Sequence, residues 1–419
     1  MRFAAFAFLS LTIWSCSAWA QGRPIHSLPQ GPLVTAKMLA ANTGWALTGP
    51  QPRGQGYASL LWWTTDGGDK WQEITPPTKV PEIILSVFFL DTRVGWALLE
   101  DSSEGEDSIQ FDLASTSSAG ASWEVHRLLA PELVSKVKQS TQKAESTPNT
   151  ASGYLEGSIA FADPLHGWIY VCPDLPDFKE LLITRDGGST WQPIQPPDSD
   201  FGYPHFVLVS PEVVMLSDLG PLHATQDGVK TFRTLYITRD EAKTWQRVSL
   251  PALRPNQFSR WIGEGWSRRY EDPVFLGPKH GFEVVTFSKY NPATSSTAVL
   301  FETLDGGATW KAQGLLGNLY GNLDWDISST VIDSSWLIAR QALYGLPMVT
   351  ILRAGEWDNA IPDIAAGYNS RLQMSFISST RGWLLAEGAL LSTHDGGASW
   401  SDVTPMDDTF KPGRLGDDQ

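Results

Sequence analysis

Cysteine is nearly absent: Cys16 and Cys172 are the only two in 419 residues, and the first lies inside the leading apolar segment. A disulfide-stapled domain is thereby excluded, and the core has to come from packing. After Trp14 no stretch approaches the roughly 20 continuous apolar residues of a membrane-spanning helix, and none keeps a helical period for long, so helical bundles and helical membrane proteins are excluded. Basic side chains are in the minority, 31 against 46 acidic ones, and the net charge of −15 disfavours nucleic acid and anionic membrane surfaces as partners. The seven histidines are scattered without metal-ligand spacing, and the glycine-rich phrases precede no helix that could seat a phosphate. No metal and no cofactor are expected.

The chain opens with Arg2, an apolar run from Phe3 to Trp14, and "SAWA" before Gln21. This order reads as a signal peptide (residues 1–20) cleaved after Ala20, which predicts a periplasmic or secreted protein whose one remaining cysteine is Cys172. A second reading takes "IWSC" as a lipoprotein box with Cys16 as the acylated residue.

Two signatures alternate along the rest of the chain. The first is Gly-Trp within a strand-like run, at Trp45, Trp96, Trp168, Phe282 (a variant), Trp336 and Trp383. The second is a box of form Thr-x-Asp-x-Gly-x-Thr-Trp: "TTDGGDKW", "TRDGGSTW", "TRDEAKTW", "TLDGGATW" and "THDGGASW". Its aspartates are Asp66, Asp186, Asp240, Asp305 and Asp395, and its tryptophans Trp71, Trp191, Trp245, Trp310 and Trp400. Degenerate copies stand in the gaps: "STSSAGASW" with Ser118 in place of the aspartate, "ATQDGVKTF" ending at Phe232, and "LRAGEW" at Trp357.

Repetition of this kind specifies architecture. Pairing the signatures gives seven units, at residues 33–78, 82–130, 155–198, 204–250, 272–315, 323–360 and 370–406. Short β-branched and aromatic runs bounded by Gly, Pro, Asn and Asp give four strands per unit, so the expected fold is an all-β, seven-bladed β-propeller over 21–406. The polar segment 131–153 reads as a mobile insertion and 407–419 as a disordered tail. Each box reads as the tight turn between the third and fourth strands of a blade: the Asp accepts amide bonds, the glycines take positive φ, the Thr hydroxyl braces the turn and the Trp packs between sheets. Five equivalent aspartates are what a repeating scaffold needs and what a single catalytic centre does not, so a structural role is expected for all of them.

These boxes resemble the bacterial neuraminidase repeat. With the Gly-Trp strands, the chain resembles the photosystem II stability/assembly factor family and its bacterial relatives over nearly the whole mature length. The resemblance implies a non-catalytic exported scaffold for protein binding or complex assembly, which in photosynthetic members works through a surface that includes basic residues. Two alternatives remain. An exo-sialidase-like glycoside hydrolase would need an arginine cluster, a Tyr-Glu pair and an acid/base aspartate; the Arg-Ile-Pro phrase of those enzymes is missing, "GRPIHSLP" at Arg23 having the letters in another order. A glycan-binding module is the other. Arg93, Arg185, Arg239 and Arg381 fall in repeat turns, where a solvated role is expected, as do His166, His280 and His394.

If the box turns occupy one face, the loops between blades lie on the other. The longest of these, Leu253 to Pro273, carries Arg260, Trp261, Trp266, Arg268, Arg269 and Tyr270 outside the repeat. Aromatic and arginine side chains anchor interfaces. With Tyr203, Tyr320, Trp325, Tyr368 and Arg371 they form the expected recognition surface for a protein partner or a glycan.

Overall fold

The computed structural model describes residues 33–53, 56–78, 83–101, 110–128, 156–172, 180–197, 204–218, 223–224, 230–232, 234–248, 250, 266–289, 295–320, 326–332, 335–341, 351–353, 356–358, 373–386 and 388–405. Residues 1–20, expected to be a signal peptide and including Cys16, segment 131–153, expected to be an insertion, and 407–419, expected to be a tail, lie outside the described residues. Where described, the regular elements are all strands.

Among the described residues six sheets have four or more strands, so the propeller has six blades and not the seven expected. In chain order the blades begin at Leu33, Ile83, Glu156, Pro204, Trp266 and Gln373, and in each the successive main strands pair antiparallel from the inside outward. The unit expected at 323–360 does not make a four-stranded sheet. It forms two separate ladders, Asp326–Ile332 with Ser335–Gln341 and Ile351–Arg353 with Glu356–Asp358. The physical reason is in its sequence: "DSSW" lacks the Gly of the Gly-Trp strand and "LRAGEW" lacks the Thr and Asp that fold the turn between third and fourth strands. Its inner ladder sits between the fifth and sixth blades, in contact with both.

The first strands of the second and third blades, of the third and fourth, and of the sixth and first pack on one another, which places them around the axis. The blades are held face to face by aromatic and aliphatic side chains. Between the second and third, Trp96 lies flat on Phe161, with ring centroids 3.6 Å apart and planes at 4°. Between the fourth and fifth, Met215, Leu235 and Ile237 meet Tyr270, Val285 and Phe301. The ring closes where Leu33, Ala36 and Met38 of the first blade pack against Trp383, Leu385 and Leu390 of the sixth. Among the described residues no strand is exchanged across this seam. It is held by side chains: Met38 N donates to Ser375 Oγ at 3.0 Å and Trp71 Nε1 to the Val403 carbonyl at 2.7 Å.

The Gly of the Gly-Trp strand has a steric cause. Gly95, Gly167, Gly281 and Gly382 each lie directly across from a Phe of the first strand, and a Cβ there would sit 2.3–2.5 Å from its ring. Glycine lets the ring lie over the backbone and reach the neighbouring blade.

Candidate recognition surface

The face built by the repeat is assembled from one hydrogen-bonding unit. In the first blade Thr64 Oγ1 donates to Asp66 Oδ1 at 2.8 Å and accepts from the amides of Asp66 and Gly68, while Asp66 Oδ1 accepts from Lys70 N at 2.9 Å. The same bonds recur at Thr184 and Asp186, Thr238 and Asp240, Thr303 and Asp305, and Thr393 and Asp395. In the second blade Thr116 keeps its place and Ser118 Oγ accepts from Ser122 N at 3.0 Å, standing in for the carboxylate. All six threonines are buried, at 1–4 % exposure, so the hydroxyl is the constant hub and the carboxylate the replaceable part.

Each of these turns also docks on the turn joining the first two strands of its own blade. The backbone N–H of Gly67, Ala119, Gly187, Glu241, Gly306 and Gly396 donates to the carbonyl of Asn42, Arg93, Leu165, Glu212, Lys279 and Thr380 respectively, at 2.8–3.5 Å. Box tryptophans then reach to the preceding blade: Trp123 Nε1 donates to the Ile74 carbonyl at 2.7 Å and Trp245 Nε1 to that of Gln195 at 3.1 Å. Trp191 differs, donating to Gly188 of its own turn. Trp310 is buried against Phe275, and Trp400 meets Phe376 edge-on.

The electrostatics follow from these bonds. Burial pushes the Asp305 carboxyl up, and donors from Thr309 and Thr303 overcome it and hold the group down to about 2. Asp395 is held at about 2 by the Ser399 hydroxyl, against burial, with help from the Ser399 amide and Thr393. These groups are ionised and saturated with donors from their own turns, an arrangement for holding backbone and a poor one for proton transfer.

The turn arginines were expected to be solvated, and three of them instead tie neighbouring blades together. Arg185 Nε pairs with Glu241 Oε2 at 2.7 Å, Arg239 Nη1 donates to the Gly306 carbonyl at 3.2 Å, and Arg381 Nη1 donates to the Ala41 carbonyl at 2.8 Å and to the Asn42 side chain across the seam. Their long stems let a turn residue of one blade reach the matching turn of the next. The turn histidines are partnered as well: His166 Nδ1 with Asp163, His280 Nε2 with Glu302, and His394 Nδ1 with Arg381. No group of three or more potential metal ligands gathers among the described residues.

The non-repeated aromatic and arginine residues are expected on the opposite face. Tyr203, Arg260, Trp261, Trp325, Tyr368 and Arg371 lie outside the described residues. The others are brought into one blade, and not as a free loop: Trp266–Tyr270 is the innermost strand of the fifth blade, and Tyr320 ends the outermost strand of the same blade, Lys311–Tyr320. The strand breaks after Tyr270 and resumes at Val274–Phe275, so that both pieces pair with Gly281–Lys289. The signal missed in the sequence is the Phe placed six residues before the strand glycine, at Phe275 as at Phe89, Phe161 and Phe376, which marks a first strand ending there.

Around this inner strand charges of both signs meet, the carboxylates buried and the arginines half-buried. Arg269 Nε lies 3.3 Å from Glu271 Oε1, and Glu271 and Glu283 are 3 % and 1 % exposed. Burial pushes the Tyr270 phenol above its ordinary value, Arg268 opposes that by charge and by a hydrogen bond, and Glu283 adds to it. At the next blade junction His205 Nδ1 meets Asp272 Oδ2 at 2.9 Å. The inner edge of the strand is itself covered: Lys230–Phe232, from a hairpin inserted in the fourth blade, pairs with it in parallel. This hairpin is the degenerate copy "ATQDGVKTF", which has left its own blade for the neighbour's edge.

No protein-family model matches the sequence, and no curated protein is a significant match. Solved structures do match. A structure described as YCF48 bound to D1 peptide aligns over 88 % of this chain and 95 % of its own, with 12 % identity and a TM-score of 0.50. YCF48 from Cyanidioschyzon merolae aligns over 79 % of this chain and 88 % of its own, with 13 % identity and a TM-score of 0.43. A Hadza microbial sialidase, Hz136, aligns over 89 % of this chain and 64 % of its own, with 14 % identity and a TM-score of 0.40. An identity this low speaks to fold alone, and the β-propeller is what the peptide-bound structure shares with this chain.

Proposed function

We propose that this protein is an exported, non-catalytic β-propeller scaffold of the neuraminidase-repeat type, which binds a protein partner through the face opposite its box turns. One observation carries the reading: all five box carboxylates accept from donors of their own turns, whereas Arg268, Arg269 and Tyr270, outside the repeat, lie together on the inner strand of the fifth blade. Cleavage after Ala20 and release to the periplasm or the exterior belong to the same reading. That a matched propeller is described as bound to a peptide agrees with a peptide-binding role here.

The test is in-cell cross-linking of the tagged mature chain beside a form carrying Trp261→Ala, Trp266→Ala and Arg268→Lys. A defined protein captured by the parent and lost from the variant, at an unchanged melting temperature, supports the scaffold. Equal capture by both moves the partner surface elsewhere.

A glycoside hydrolase is the second reading, favoured by the meeting of Tyr270, Glu283 and Arg268. A nucleophilic phenol has to be reached by substrate and deprotonated easily, and Tyr270 is 7 % exposed with its phenol pushed up by burial. Release of fluorophore from a sialoside, abolished by Tyr270→Phe, would establish this reading over the first.

A further inference from the structure

The innermost strands correspond position by position, because each pairs with the second main strand of its own blade. Opposite the tryptophan of that strand, or the residue in its place, stand Lys37, Phe88, Ala160, Val207, Val274 and Ser375, one from each blade. They lie at one level of the axial channel that a ring of blades encloses. Four are apolar and one carries a hydroxyl, so Lys37 is the single charge among them. It is exposed, whereas Ala36 and Met38 on either side of it are buried. Solvent-facing surface half-way along an innermost strand belongs to the channel. The Lys37 amine lies 5.6 Å from the ring centroid of Phe88 on the second blade, so the side chain runs along the channel wall. The protein around it holds the amine below the ordinary lysine value by desolvation. Among the described residues no carboxylate pairs with it. The carboxylates beside the inner strand of the fifth blade meet other cations, Asp272 with His205 and Glu271 with Arg269.

We propose that this level of the channel binds a small carboxylate with an apolar body, Lys37 taking the carboxylate and Phe88, Val207 and Val274 supplying apolar surface to the body. Three observations set the ligand class. An amine surrounded by protein and lacking a counter-ion favours an anion, because Coulomb attraction strengthens as water is excluded. Ser375 Oγ accepts from the amide of Met38, next to Lys37, at 3.0 Å, which leaves the hydroxyl hydrogen for a second acceptor. One amine and one hydroxyl suit the two oxygens of a carboxylate, whereas a phosphate or sulfate would bring oxygens that they do not serve. Phe88, Val207 and Val274 are half-buried, so each keeps surface for a ligand, and none can hydrogen-bond to a polar body. The site is thus apolar with one charged anchor. It goes beyond the scaffold reading and does not depend on it, since it lies on the axis and needs no protein partner.

The experiment is calorimetric titration of the mature chain with three probes: phenylacetate, its uncharged counterpart phenylacetamide, and glucuronate, a carboxylate with a polar body. Phenylacetate is expected to bind, and the other two to bind about tenfold or more weakly. Lys37→Met keeps the length of the side chain and removes its charge, and should weaken phenylacetate about tenfold or more; Lys37→Arg keeps the charge and should retain most of the binding. A parent that does not bind phenylacetate overturns the proposal. So does a parent that binds the amide or glucuronate as tightly, or a folded Lys37→Met that binds phenylacetate as the parent does. A readout on the parent alone covers the case in which Lys37→Met does not fold. Acetic anhydride labelling followed by peptide mass spectrometry should show phenylacetate slowing acetylation of Lys37 severalfold while the other lysines react unchanged. Equal slowing at every lysine, or none at Lys37, overturns the site as well. Partner capture is read separately, and its failure removes the scaffold reading without touching this one.

Discussion

At one end of this propeller six turns make the same backbone bond to the same neighbouring turn, and six buried threonines serve the same amides. At the other end the fifth blade carries a ten-residue outer strand, a broken inner strand with half-buried Arg beside buried Glu side chains, and a hairpin borrowed from the blade before it. The difference teaches how to divide the chain between architecture and function. What recurs in every blade answers a packing requirement that every blade shares. What occurs once has no such excuse, and it is there that recognition should be sought.

The comparison breaks most severely at the strand glycines. Gly382→Ala would place a methyl group 2.3 Å from Phe376 Cγ, which has to move against Trp400 beside it. Such overpacking costs about 3 kcal/mol, so a large fall in the urea midpoint is expected with the slope unchanged. A control at Gly277, which has open space around its would-be Cβ, should move the midpoint little. Equal effects at the two positions would mean that the Phe-over-Gly contact does not hold the blades.

Thr303→Val tests the hub of a turn. It removes a hydroxyl that serves Gly307 N and Asp305 while leaving the volume nearly unchanged. Two amides and a carboxylate lose a buried partner, and a loss of about 2 kcal/mol is expected in chemical denaturation. Asp305→Ala should cost less, because the second blade already manages with Ser118. The reverse order would make the carboxylate the hub.

A smaller effect, and one that depends on pH, belongs to the second blade. Burial of Glu100 pushes its carboxyl up to about 7, from an ordinary value of about 4.3. The folded state therefore prefers the protonated acid. Stability is unaffected below about pH 4, falls as pH rises from there to about 7, and is level above that. Glu100→Gln removes the charge and should raise stability by on the order of 1–2 kcal/mol at pH 8 and by almost nothing at pH 4. A gain of the same size at both values would assign the effect to packing.

The propeller class, the strand content and the place of each box between third and fourth strands are legible in the sequence, because a turn that needs Thr, Asp and Gly at fixed offsets leaves its letters behind. The blade count is not. Unit 323–360 keeps its tryptophans Trp336 and Trp357 but not the turn residues, and tryptophan alone does not close a four-stranded sheet. The candidate recognition residues are legible as composition and not as structure. Trp266, Arg268, Arg269 and Tyr270 stand out by type, but that they form a strand is fixed by Phe275 lying across from Gly281, and the hairpin's departure to another blade's edge is a long-range event with no local signature.

The finest test concerns the box turn of the second blade, where among the six described box turns the carboxylate is missing. Ser118 accepts the Ser122 amide at 3.0 Å and meets the Ser122 hydroxyl at 2.9 Å, so it performs both duties that Asp186 performs for Thr190. Ser118→Asp therefore adds charge to bonds that already exist and leaves their number unchanged. Charge-assisted bonds at an exposed turn are stronger but screened, and a gain of a few tenths of a kcal/mol is expected at pH 7. The sign with pH follows from the other turns, where the carboxyl is held down toward 2. A depressed acid stabilises above its unfolded value of about 3.9 and loses that contribution as pH falls toward 2, so the gain from Ser118→Asp should vanish across that window. A gain that persists at pH 2 would mean that side-chain shape, and not charge, is what the aspartate contributes to the turn.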